Sequence, residues 1–126
     1  MVECDVPDAR YWSFQLYGMH FFRALDIGRM TSLNHRQAST AGGRLGVVVA
    51  HRDPGVANWL DTMGRAVGLL NYRHFWGAAL PGFRTTVVPT DDVRDVMAPD
   101  TPVIEGRARE REIAARREHL AWRFRT

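Results

Sequence analysis

The tripeptide His51-Arg52-Asp53 is the sharpest chemical signal in the chain. His-x-Asp spacing supplies two legs of a two-histidine, one-carboxylate iron site of the kind built on jelly-roll folds. His74 is the candidate third ligand, and Arg84 beyond it is the candidate anchor for an acidic cosubstrate. Two features weigh against a metal. The short stretch between His51 and His74 leaves little room for intervening strands, and Pro54 directly after Asp53 reads as a structural turn. So short a pattern also arises often by chance.

The neighbouring segments offer a wider polar cluster. If Gly42-Gly43 is a two-residue hairpin loop, Ala41 pairs with Arg44. Counting back along both arms then sets Asn34 opposite His51, and a loop one residue longer sets His35 there instead. Asp53 shares the strand face of His51 if the strand continues that far, and Asn58 and Trp59 follow on the next loop. Asn34, His35, His51, Asp53, Asn58 and Trp59 are therefore the candidate ligand-binding residues, at one end of the sheet structure. A competing structural reading makes Asp53 the cap of the Pro54-Gly55 turn, with Asn58 and the histidines satisfying backbone groups. The structural reading is the stronger, because buried polar side chains hold loops more often than they catalyse. No residue is assigned a catalytic role and no cofactor is named.

Composition narrows the chemistry further. All 17 basic residues are arginine, so lysine Schiff-base chemistry is excluded. Cys4 is the one cysteine, which rules out an internal disulfide and points to the reducing cytoplasm. There is no Gly-rich phosphate loop between strand and helix, no Gly-x-Ser-x-Gly elbow and no Cys-x-x-Cys. Net charge is only +3, with acids mixed among the arginines, so neither nucleic acid nor a membrane surface is an expected partner. No apolar run approaches a membrane span, and the N-terminus lacks the regions of a signal peptide.

The elements that must position these residues read mostly as strands. Trp12, Phe14 and Leu16 alternate with Ser13 and Gln15, a half-buried strand pattern over residues 11–17. Residues 2–6 form an earlier, shorter strand stopped by Pro7, and residues 18–30 a short helical turn or crossing loop. Residues 31–51 read as a hairpin with arms Ser32–Ser39 and Arg44–His51. Val67–Trp76 is another strand, with Leu70, Tyr72, His74 and Trp76 on one face as core, and Phe83–Val88 is the last. From Thr101 the pattern becomes helical, with Thr101 as cap and Pro102 in the first turn. Glu105–Arg109 and Glu112–Arg116 form i,i+4 pairs, while Ile113, Leu120 and Phe124, with Trp122 nearby, make a narrow apolar stripe for docking. The length suits one core: a β-domain over residues 1–100 and a charged amphipathic helix over 101–126.

Three segments carry a resemblance. Pro7 to Tyr17, then Ser32-Leu33-Asn34, then Val49 to Leu60 with its Asp-Pro-Gly…Asn-Trp-Leu loop resemble the bacterial domain-of-unknown-function 1214 family, over roughly residues 5–90. The resemblance implies a jelly-roll-like antiparallel β-sandwich, followed by the charged α-helix. It implies relatives that extend upstream, so that this chain corresponds to a C-terminal part or a short reading frame within one. It carries no catalytic residues. The resulting expectation is a non-catalytic binding or structural module that associates with itself or a sister domain. The alternative is a metal-dependent or hydrolytic enzyme domain around His51 and Asp53.

Overall fold

The computed structural model describes residues 1–125. The chain is mostly β, in two sheets that share one core, with a helix at its C-terminal end. One sheet has the order β5-β4-β1-β7, formed by β1 (Val2–Asp5), β4 (Arg44–Ala50), β5 (Trp59–Asp61) and β7 (Arg84–Thr85). The other has the order β3-β2-β6, formed by β2 (Ala9–Gly18), β3 (Ser32–Asn34) and β6 (Gly68–Gly77). A short helix α1 (Val93–Val96) and the long α2 (Arg107–Arg123) complete the order.

The β2–β6 ladder is the spine of the fold, and the sequence dictates its faces. Phe14 lies opposite Tyr72, Trp12 opposite His74 and Leu16 opposite Leu70, so the apolar alternation of both strands falls on one side. That side meets Cys4 of β1, Leu45 and Val47 of β4 and Leu60 of β5 in a single apolar cluster. Each large apolar side chain fully buried there contributes about 2 kcal/mol. The opposite face of the β2–β6 ladder pairs Ser13 with Arg73 and Gln15 with Asn71.

Several expectations are corrected. The 31–51 hairpin does not form. Ala41 and Arg44 do bridge across a turn in which Gly42 (φ 55°) and Gly43 (φ 73°) take left-handed conformations. The arms nevertheless part: β3 pairs with β2 and β4 pairs with β1, in different sheets. Asn34 therefore lies opposite Ser13, not His51. The separation begins at Asn34, whose Oδ1 accepts from the backbone N–H of Arg36 (3.0 Å) and Gln37 (3.2 Å) and turns the chain. The sheets are not wholly antiparallel, because β5 runs parallel to β4. The strand expected over Phe83–Val88 is reduced to Arg84–Thr85. Trp76 is not core: its φ of 51° breaks the alternation and leaves it 78% exposed.

The C-terminal helix begins at Arg107, not near Thr101. Residues 102–104 are instead extended alongside the loop after Asp53: Ala57 donates to the Pro102 carbonyl and Ile104 to the Gly55 carbonyl, both from backbone N–H groups. No helix among the described residues is long and apolar enough to cross a membrane.

Candidate functional site

The apolar stripe expected on α2 docks it only in part, through half-buried Ile113 and Leu120. Trp122 and Phe124 are exposed, and the one buried residue of the helix is Arg109, at 4% exposure. Its Nε donates to Asp53 Oδ2 at 2.9 Å and its Nη2 to Asp53 Oδ1 at 3.2 Å, a two-point fork on one carboxylate. The same guanidinium donates to the Val56 carbonyl at 2.6 Å and to Glu112 Oε2 at 2.5 Å. It also lies over the Trp59 ring, 5.3 Å from the centroid. A second anchor follows two turns along: Arg116 donates to Ser32 Oγ at 3.0 Å and to the Ser32 carbonyl at 2.6 Å. Arginine suits both tasks, because its planar fork stays charged and its donors are fixed in direction.

The expected helix pairs are redistributed by this docking. Glu105 pairs with Arg94 rather than Arg109. Arg109 takes Asp53 and Glu112 instead. No ion pair joins Glu112 to Arg116 among the described residues.

The candidate ligand residues are mostly structural. Asp53 Oδ1 accepts from the backbone N–H of Gly55 at 2.8 Å, the turn cap expected of it, while its carboxylate receives Arg109. Asn58, with φ 59°, ties a loop to β4: Oδ1 accepts from the Ser39 N–H (2.8 Å), and Nδ2 donates to the carbonyls of Ser39 (2.6 Å) and Gly46 (2.9 Å). Trp59 is not a loop residue reaching for ligand. It opens β5, is buried, and donates from Nε1 to the Ala50 carbonyl at 3.1 Å. His35 packs edge-on against Tyr11, centroids 5.4 Å apart.

His51, Asp53 and His74 do not converge. His51 is exposed and its Nδ1 bonds Thr62 Oγ1. His74 is on β6 in the other sheet, with its Nδ1 2.9 Å from the Tyr72 hydroxyl. Arg84 is exposed on β7. Among the described residues no group of three or more His, Cys, Asp or Glu side chains is disposed to hold a metal ion. The physical reason is the topology: His51 directly follows β4 of one sheet, while His74 lies on β6 of the other.

Sequence reasoning missed Arg109 and Arg116 as the helix anchors. Their spacing of two helical turns was the available signal, but a search for an apolar stripe passes over it.

Comparison with known proteins gives one structural relative. A crystal structure of an uncharacterised protein from Burkholderia cenocepacia superposes with a TM-score of 0.66 at 35% sequence identity, over 71% of this chain and 25% of that one. The chain thus spans about a quarter of that protein's length. No family model matches the chain, and no curated protein does.

Proposed function

We propose that the chain is a non-catalytic β-module that joins a larger assembly, with itself or a sister domain, through the open edge of β6. The observation that carries this reading is the edge itself. β6 runs for 10 residues and pairs only with β2, at the end of its sheet. Long unpaired edges recruit further strands, and monomeric proteins normally blunt them. Here the edge strand carries exposed Leu69, Phe75 and Trp76 rather than a guard of charges. At its other end, the turn after Gly18 holds Phe21 and Phe22 in left-handed conformations with both rings exposed. Backbone strain beside exposed aromatic surface fits a contact completed by a partner.

The same reading takes the two sheets as a jelly-roll-like β-sandwich of the domain-of-unknown-function 1214 family. The sandwich part of this reading is supported by the core that the two sheets share. Buried, unpaired Cys4 fits a reducing cytoplasmic setting.

Sedimentation velocity over a wide concentration range tests the reading. Self-association that rises with concentration is expected, and Phe75→Arg with Trp76→Arg should abolish it while leaving the melting temperature of the dilute protein in place. A chain that stays monomeric to about millimolar concentration, well above ordinary interface affinities, defeats the self-association reading.

A further inference from the structure

The face of the three-stranded sheet turned away from the core is polar, and α2 covers only part of it. Between them runs a groove of about 520 Å³, with Arg116 and Arg123 on the helix, Gln15, Ser32 and Asn34 on the sheet, and an apolar wall that includes Met30 and Leu120. It shares Gln15, Ser32 and Asn34 with a smaller hollow of about 100 Å³ that Ser13 and Arg73 line. The larger groove lies within the size range of small-molecule sites.

Three observations point to what fits there. The first is charge. Arg73, Arg116 and Arg123 have no carboxylate within 4.0 Å among the described residues. The one carboxylate lining the groove, Glu112, is already held by Arg109. The second is an unpartnered group: Ser13 is 6% exposed, yet its Oγ has no hydrogen-bond partner. A buried hydroxyl in that state is costly unless something bonds it. The third is preorganisation. Arg73 is held by Gln15 Oε1 at 2.9 Å and by the Tyr17 hydroxyl, and Arg116 by Ser32, so neither must be ordered on binding. Burial also pulls the Arg116 guanidinium below its ordinary value, a desolvation that a bound anion would offset.

We propose that this groove binds a small organic anion bearing a carboxylate or phosphate group. The anionic end lies between Arg116 and Arg123, and the polar remainder reaches Arg73 and the Ser13 hydroxyl. Arg123 offers its guanidinium fork to either oxyanion, Arg116, whose two terminal nitrogens already donate to Ser32, adds its charge, and Ser13, Gln15 and Asn34 suit hydroxyl or amide groups.

Isothermal titration calorimetry on the full chain tests this, with inorganic phosphate and citrate as separate probes at fixed ionic strength. Saturable binding of at least one probe is expected. Arg123→Gln, an exposed change that removes no hydrogen bond of the fold, should weaken it roughly tenfold, the worth of one charge-assisted bond. Ser13→Ala should weaken it less, and Arg111→Gln, on the same helix but outside the groove, should leave it unchanged. A preference between phosphate and citrate assigns the anionic group. Absence of saturable heat with both probes overturns the proposal, as does equal weakening by Arg111→Gln, which would reduce the effect to diffuse surface charge.

Discussion

Replacing Arg109 by Met keeps an unbranched stem about as long as the arginine's aliphatic part and removes the guanidinium with its charge. The loss includes a forked ion pair with Asp53, the bond to the Val56 carbonyl and the contact over Trp59. Breaking a buried ion pair on one side typically costs about 3–5 kcal/mol. The partners left behind are not sealed off: the Asp53 and Glu112 side chains are 31% and 36% exposed, so water can take over part of the solvation. That sets the expected loss near the lower bound, about 3 kcal/mol. With a urea m-value of about 1.5 kcal/mol/M for a domain of this size, the midpoint should fall by about 2 M. Arg109→Lys should rescue little, because an ammonium cannot fork onto both carboxylate oxygens. A double-mutant cycle with Asp53→Asn should give a coupling of about 1–3 kcal/mol. A midpoint shift under about 0.5 M for Arg109→Met, or additive single mutants, would refute the reasoning, since the helix would then rest on its apolar residues.

Other expectations follow from the same geometry. Asn58→Ala leaves three backbone partners unsatisfied at a left-handed position, so thermal unfolding should reveal a loss of about 3 kcal/mol. Asn58→Gly, which tolerates that φ, should lose less. Burial pushes the Tyr72 hydroxyl up to about 12 and the Cys4 thiol above its usual value. The unfolded chain therefore ionises first, and stability should fall as pH rises through about 9 to 12. Urea midpoints measured across that window, in a chain without lysine, test this, and a flat profile would contradict the burial. Alkylation of Cys4 in the folded protein should be limited by unfolding, with a rate that rises sharply in denaturant; rapid labelling without denaturant would contradict its 1% exposure. Chelator treatment should leave the melting temperature unchanged, and a stoichiometric metal lost in His51→Ala would restore the metal reading.

The strands were legible because periodicity is local. β2 and β6 announce their inner faces through Trp12-Phe14-Leu16 and Leu70-Tyr72-His74. Partners are not local, and there the reading failed: Gly42-Gly43 marks a tight turn without saying that the chain has already changed sheets at Asn34. The turn cap at Asp53 was legible from Asp-Pro-Gly alone. Its second role, receiving Arg109 from 56 positions away, was not, because a hydropathy pattern counts arginine as surface. Ser13 was hidden too, since alternation assigned it to the wet face, where it is nevertheless buried in a small hollow.

The way α2 is attached also sets when it can attach. Its anchors, Asp53, Val56 and Ser32, belong to segments that reach their places only once both sheets have formed. An apolar stripe would adhere to any greasy intermediate, whereas forked guanidinium bonds hold only a finished surface. On this reasoning the helix is a coincidence detector for completed assembly, expected to close last in folding and to open first under stress. Amide exchange should register this as α2 and the 102–104 segment loosening together, ahead of the β2–β6 ladder. A segment that leaves before the core does would bare the polar sheet face and release the guanidinium of Arg109 in one event.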